Sequence, residues 1–248
     1  MIQKDTISIE HLPWDSDFFG FAVGRVALPA GFVDPVAVRD AIREMDCDLT
    51  YVFLPVGGDA NRDAEKPRSA LVDLGGKCCD LKLTYRKILT AAECLPDGCE
   101  SATARTISPK LEELAYASGW CSRFVSDDRL RPFFKPMYLL WLKRDLAVGN
   151  VFVLPTADAP EGMATVSVRE GLGKVGLVAV DAKSCGKGIA TQLMRNVCGW
   201  LAGRGVRECE VVTQGMNVAA RRLYEKVGFG LQSQMEVWHV WKRKDGGK

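Results

Sequence analysis

The stretch from Lys174 to Phe229 holds the residues whose types and spacing best suit chemistry. Gly186, Gly188 and Ala190 are small at alternate positions, between the apolar run Val175-Gly-Leu-Val-Ala-Val-Asp181 and a periodic segment ending at Leu201. Small side chains let backbone N–H groups close on a ligand where a strand hands over to a helix, and a helix N-terminus attracts anions. Phosphate is therefore the expected partner, although a tight strand-to-helix turn is the plainer account of any isolated Gly-x-Gly. Lys187, inside the turn, reads equally as an exposed loop lysine or as a partner for phosphate. Further on, Asn217 opens a second helix, and Tyr224 falls about two turns later on nearly the same face. Its phenol is either a reactive group or a core tyrosine whose hydroxyl finds a partner.

The elements that must position these residues are legible around them. Ile189, Leu193, Val197 and Leu201 recur at helical spacing, Ala190 and Met194 widen the stripe, and Gly203 and Gly205 lie where it should stop. Glu208 to Gln214 reads as a strand. The helix from Asn217 has Ala220, Leu223 and Val227 on its apolar face, and Gly228 fits a left-handed C-terminal cap.

These residues resemble the GNAT N-acetyltransferase family. The family's Gln/Arg-x-x-Gly-x-Gly/Ala signature is matched by Cys185-x-x-Gly188-x-Ala190, with a departure at Cys185. Its later pattern, Asn-x-x-Ala-x-x-Leu-Tyr-x-x-x-Gly-Phe, is matched by Asn217, Ala220, Leu223, Tyr224, Gly228 and Phe229. The resemblance implies acetyl-CoA as co-substrate and no metal. Backbone at Val178, Ala179 and Val180 would pair with the pantetheine arm. Amides of Cys185, Gly186, Lys187, Gly188, Ile189, Ala190 and Thr191 would hold the pyrophosphate, and Asn217 would assist. A pyrophosphate held by backbone amides tolerates the change at Cys185, at some cost in affinity.

Composition bounds the rest. The 248 residues are 47% hydrophobic, enough for packed cores in one large domain or two modest ones. With 33 cationic and 31 anionic side chains the net charge is +2, which gives no electrostatic case for nucleic acid or an anionic membrane. Nine cysteines without a C-x-x-C pair, and two histidines, argue against a disulfide framework and a zinc site; reduced thiols in a cytoplasm fit. The N-terminus lacks a signal peptide's apolar core, and no uninterrupted apolar run approaches the ~18 residues of a membrane span.

The first hundred residues read as an α/β unit. Strands are expected over Phe21–Leu28, Leu49–Leu54 and Lys82–Leu89. Helices are expected from Asp34-Pro35 through Val38, Ile42 and Met45, and over Ala60–Leu74 with an interruption at Pro67. Within this unit Leu12-Pro-Trp-Asp-Ser-Asp-Phe-Phe-Gly20 packs aromatic and acidic residues together. By composition it reads as a strand entering the core, with Trp14, Phe18 and Phe19 as packing residues. It is also similar to the opening of the bacterial TDP-fucosamine acetyltransferase group, which adds such an N-terminal domain to the GNAT fold. Cys94-Leu-Pro-Asp-Gly-Cys99 has the turn residues of a domain boundary, so the expected domains are 1–97 and 98–248.

Beyond it come a strand over Ala102–Ile107, a helix over Leu111–Ala117, the tripeptide Ser122-Arg-Phe124, and an aromatic helix through Trp141 to Leu146. That succession is similar to the same group. Arg123 is either a ligand for an anionic acceptor or the ion-pair partner of Asp127 or Asp128. Val151–Leu154 and Thr165–Val168 are expected to form a hairpin, and Met235–Trp241 a closing strand followed by a frayed basic tail.

The expected architecture is α/β (α+β): a C-terminal GNAT fold with a central mixed, mostly antiparallel sheet flanked by helices, preceded by a smaller α/β domain. Amine acetylation needs a neutral amine, a polarised thioester carbonyl and a proton for the departing thiolate. Tyr224 fits the last as general acid, and strand N–H groups near Val178 fit the second. The base is open; a water fixed by Glu210 or Gln214 is one candidate. The resemblance implies a nucleotide-linked 4-amino-4,6-dideoxyhexose as acceptor, in a site shared by the two domains with Trp14, Asp15, Phe19 and Arg123 near it. A homodimer is compatible with this reading. The alternatives are another small amine, a protein N-terminus, or a CoA-binding sensor or scaffold without turnover.

Overall fold

Two helices here start where a short polar side chain precedes proline. The computed structural model describes residues 6–58, 60–93 and 102–243. The chain runs β1 (Ser8–His11), α1 (Pro13–Phe19), β2 (Val23–Ala27), α2 (Pro35–Met45), β3 (Leu49–Val56), α3 (Ala60–Asp63), α4 (Glu65–Asp73) and β4 (Lys77–Ile88). It continues with β5 (Thr103–Ala104), α5 (Pro109–Ser118), α6 (Arg123–Ser126), α7 (Phe134–Ala147), β6 (Val151–Pro155), β7 (Pro160–Arg169), β8 (Leu172–Val180), α8 (Ile189–Ala202), β9 (Glu208–Gln214), α9 (Val218–Lys226) and β10 (Gly230–Trp241). Asp34 caps α2 by accepting the Val36 N–H at 2.9 Å, and Ser108 caps α5 by accepting the Leu111 N–H at 3.3 Å. Proline follows each cap at a position whose N–H has no helical partner to lose.

The structure is mixed α/β, with open, mostly antiparallel sheet flanked by helices. Its contacts divide it into two compact units, one made of the described residues up to Leu83 together with those from Ser233 onward, the other Thr84–Gln232. In the first unit the strand order is β1-β2-β3-β10-β4. There β2 and β3 are parallel, and β10 pairs antiparallel with β3 from Gln234↔Val56 to Trp241↔Leu49. Val26, Val38, Met45, Val52, Leu71 and Trp238 lie in its core. In the second unit the order is β4-β9-β8-β7-β6-β5, antiparallel from β5 to β8 and parallel between β8 and β9. Leu114, Met137, Leu142, Phe152, Leu193, Val197 and Leu201 are buried there.

The change of unit inside β4 has a local cause. After Leu83 the side chains of β4 turn to β9 and α9: Arg86 pairs with Glu208 and Glu210, and Lys87 donates to the Val227 carbonyl at 2.7 Å. The contact division thus falls before the 97/98 boundary expected from sequence, and the closing strand returns to the first unit. The turn Cys94–Cys99 and the residues from 244 on lie outside the described residues.

Two expectations are corrected. Leu12–Gly20 is a helix, not a strand entering the core: Pro13 opens α1, Gly20 closes it at φ 78°, and Ser16 Oγ donates to the Leu12 carbonyl at 2.8 Å. That hydroxyl also accepts the Val23 N–H at 2.9 Å, joining α1 to β2. Nor does Pro67 interrupt its helix. The break falls at Ala64, between α3 and α4, and Pro67 sits in the first turn of α4, where a missing N–H costs nothing. Expected Ala102–Ile107 shortens to β5. Among the described residues, Cys47, Cys78, Cys79, Cys121, Cys185, Cys198 and Cys209 are in no disulfide, and no helix is long and apolar enough to cross a membrane.

Candidate functional site

In the second unit the site is built on an irregular strand. The β7–β8 register runs through Ala164↔Val178 and Val166↔Val175, so one residue of β7, Thr165, faces two of β8, Gly176 and Leu177. This is a β-bulge, which bends a strand and increases its twist. On the other edge of β8, the parallel register with β9 runs from Leu172↔Glu208 to Val175↔Val211. Pairing stops there although β8 continues to Val180 and β9 to Gln214. The backbone of Val178, Ala179 and Val180 thus lies past the bulge and past the last residue paired with β9.

The glycine turn follows directly. Gly186 and Gly188 have φ of 81° and 83°, the left-handed region that side chains resist, and nothing lies within 4 Å of a Cβ built at either. Gly188 is the residue before α8, and its carbonyl accepts the Gln192 N–H at 3.0 Å. The amides of Ile189, Ala190 and Thr191 are therefore first-turn amides with no carbonyl of their own helix to bind. Such amides above an open glycine surface form a cradle that fits phosphate.

Carboxylates hold this loop in place. Asp181 accepts the Lys183 N–H at 2.8 Å and pairs with Lys110 of α5; that hydrogen bond and charge lower the Asp181 pKa and raise that of Lys110. Glu161 of β7 accepts from the buried Ser184 hydroxyl at 2.5 Å, and its carbonyl accepts the Asp181 N–H at 2.7 Å. Lys187 Nζ lies 3.2 Å from Ser184 Oγ and 3.9 Å from Glu161 Oε2. Lys187 thus rests against a carboxylate. Glu161 and Ser184 lie outside the sequence patterns and only their placement reveals them. Cys185 is exposed, its Sγ 3.5 Å from the Asp181 carbonyl.

Asn217 caps α9, its Oδ1 accepting the Ala220 N–H at 3.1 Å. Its side-chain carbonyl is therefore committed to the helix. Tyr224 is only 3% exposed, with its ring centroid 5.8 Å from that of Tyr85 and 6.1 Å from that of Phe229. Burial pushes the Tyr224 pKa well above the usual phenol value, so the hydroxyl keeps its proton and can donate a hydrogen bond. Tyr85 of β4 donates to Glu225 Oε1 at 3.1 Å, so it touches α9 twice. No signal in the sequence singled out Tyr85, since it lies far from both patterns. Gly228, at φ 88°, ends the helix as expected, with its N–H on the Glu225 carbonyl.

The candidate base positions are already engaged. Glu210 pairs with Arg86 at 3.1 Å, and Gln214 Oε1 accepts from Cys121 Sγ at 3.5 Å. Arg123 lies over the Phe124 ring, 4.8 Å from its centroid, and Asp128 pairs with Arg131 at 2.7 Å. In the first unit Trp14 is 49% exposed and stacks on Phe18 at 5.4 Å, whereas Phe19 is 5% exposed and offers little surface to a ligand. Asp15 lies beside Trp14 in the first turn of α1.

Residues 119–229, which include β8, the glycine turn, α8, β9 and α9, match the model of the Acetyltransferase (GNAT) family. They carry the candidate site described above, and the match is to an acetyltransferase family. An uncharacterised N-acetyltransferase of Bacillus subtilis, YobR, is 26% identical over 113 residues, and the match spans 46% of each chain. A GCN5-related N-acetyltransferase from Sphaerobacter thermophilus superposes with a TM-score of 0.59 at 16% identity, covering 96% of this chain and 78% of its own. A conserved protein of unknown function from Staphylococcus epidermidis also gives 0.59, at 11% identity, covering 98% and 94%. At such identities the likeness is one of fold.

Proposed function

We propose that the protein transfers the acetyl group of acetyl-CoA to the amine of a nucleotide-linked amino sugar of the dTDP-4-amino-4,6-dideoxyhexose type, in the cytoplasm, on the way to a surface polysaccharide. The observation that carries the transferase reading is the bulged strand that parts from its parallel neighbour and feeds a glycine turn at a helix N-terminus. The amides from Cys185 to Thr191 would bind the pyrophosphate, and the backbone of Val178 to Val180 the pantetheine arm. N–H groups of that strand polarise the thioester carbonyl while the neutral amine attacks directly. Tyr224 donates a hydrogen bond to the departing thiolate. Its raised pKa lies above the roughly 8.5 of an ordinary thiol, so the proton is shared with the sulfur more than surrendered. As the C–N bond forms the C–S bond breaks, CoA leaves as the thiolate and the proton shed by the amine passes to solvent water; an amino sugar deprotonates more readily than lysine, which lessens the demand on a base.

The sugar-nucleotide reading rests on the resemblance carried by Leu12–Gly20 and Ser122–Phe124, and on the exposed face of Trp14. Trp14 and Asp15 are the groups of the first unit assigned to the acceptor. Replacing Trp14 with alanine is expected to raise the acceptor KM about tenfold, on the order of one stacking contact, and to leave the acetyl-CoA KM unchanged. Steady-state kinetics in both substrates, with a thermal midpoint, check this; a destabilised variant with unaltered acceptor KM would remove Trp14 from the site. The reading as a whole is tested by the release of CoA thiol on mixing acetyl-CoA with a panel of amines that includes dTDP-amino sugars. Release with simple amines or peptide N-termini alone would reassign the acceptor. CoA binding without release to any of them would make the chain a sensor or scaffold.

A further inference from the structure

We infer that Thr165 is the positioning residue that holds the β8 bulge, and through it sets the strand on which the thioester is bound; this rests on the acetyl-CoA reading above. Thr165 is 0% exposed, and its Oγ1 accepts the Leu177 N–H at 3.0 Å. In a regular ladder that N–H faces a backbone carbonyl of the neighbouring strand. With one residue of β7 against two of β8, the threonine hydroxyl takes over as acceptor.

Gly176 is the other half of the device. A Cβ at Gly176 would lie 2.5 Å from Thr165 Oγ1 and 3.8 Å from Asp145 Oδ2, so any side chain there would push the hydroxyl away from Leu177. The bulge follows Val175, which is also the last residue of β8 paired with β9. One buried hydroxyl therefore fixes the place where the strand turns from pairing with β9 to presenting free backbone. Losing it leaves the Leu177 N–H without an acceptor, or closes the bulge and shifts Val178 to Val180 by one residue, exchanging their two faces.

The test compares Thr165→Val, which keeps the shape and removes the acceptor, with Thr165→Ser, which keeps the acceptor. The ligands are CoA and adenosine 3′,5′-bisphosphate, which lacks the pantetheine arm. In Thr165→Val the Kd for CoA is expected to rise about tenfold, the scale of one buried backbone group left unpaired. The Kd for the bisphosphate is expected to stay unchanged, because the glycine turn is built from other contacts. Thr165→Ser should restore CoA binding, and exchange of the Leu177 amide should quicken in the valine variant only. Wild-type affinity for CoA in Thr165→Val, or equal weakening of both ligands, overturns the assignment. Should Thr165→Val not fold, Gly176→Ala serves instead, since it displaces the hydroxyl while retaining it; unchanged CoA affinity there overturns the proposal equally. A wild-type protein that binds neither ligand refutes the acetyl-CoA reading itself, a distinguishable result.

Discussion

Tyr224→Phe is expected to lower kcat by about 10²-fold, to leave the acetyl-CoA KM near its wild-type value and scarcely to move the thermal midpoint. The phenylalanine ring keeps the packing on Tyr85 and Phe229, and only the hydroxyl proposed to hydrogen-bond the thiolate is lost. Single-turnover kinetics, which isolate the chemical step, are the measurement; near-normal chemistry in a folded variant would return Tyr224 to the core. The pH dependence carries a sign. Burial raises the phenol's pKa in the folded state, so the donor stays protonated and kcat does not fall as pH passes the ordinary tyrosine value of about 10. For the same reason the folded state holds this proton longer than the unfolded chain. That contribution to stability is complete below about pH 10 and is lost as pH rises above it. The alkaline decline of the thermal midpoint should therefore be shallower in Tyr224→Phe than in wild type.

Gly188→Val is expected to raise the Kd for CoA by about 10²-fold in a protein that still folds. Two effects add. Valine at a φ of 83° carries the steric penalty of the left-handed region, roughly 1–2 kcal/mol and more for a β-branched side chain. Its methyl groups would also occupy the open side of the turn, where no protein atom lies within 4 Å of the Cβ position and where a pyrophosphate would approach the amides. Because the new Cβ meets no protein atom within 4 Å, the cost to the fold is the backbone strain, and the rest of the loss falls on the ligand. Calorimetric titration with CoA checks it, and unchanged affinity in a folded variant would falsify the phosphate-loop assignment. Gly188→Ala should fall between the two, having the strain without most of the bulk.

The local signals in this chain were those whose physics is complete within one turn or one strand. Asp34 before Pro35, the small residues Gly186, Gly188 and Ala190 before an apolar stripe, and Gly228 after Val227 each satisfy or release backbone groups of their immediate neighbours. Their roles could therefore be read in order along the sequence, as could the glycine turn and the position of Tyr224. The aromatic string at Leu12–Gly20 reads by composition as a strand, because so short an apolar run carries no period that separates a strand from a helix. What settled it as a helix was Ser16 joining the Leu12 carbonyl to Val23. The bulge in β8 could not be read at all, since the acceptor for Leu177 is a hydroxyl on the neighbouring strand and no periodicity within β8 signals it. The same holds for Tyr85 beside Tyr224, for Ser184 and Lys187 gathered on Glu161, and for β10 pairing with β3. The sequence by itself determined most of the strands and helices and the glycine turn at which an anion is proposed to bind, because capping and chain reversal are short-range. Tertiary structure alone decided which buried polar groups found partners, and so how the reactive strand is bent, because those partners come from other elements of the fold.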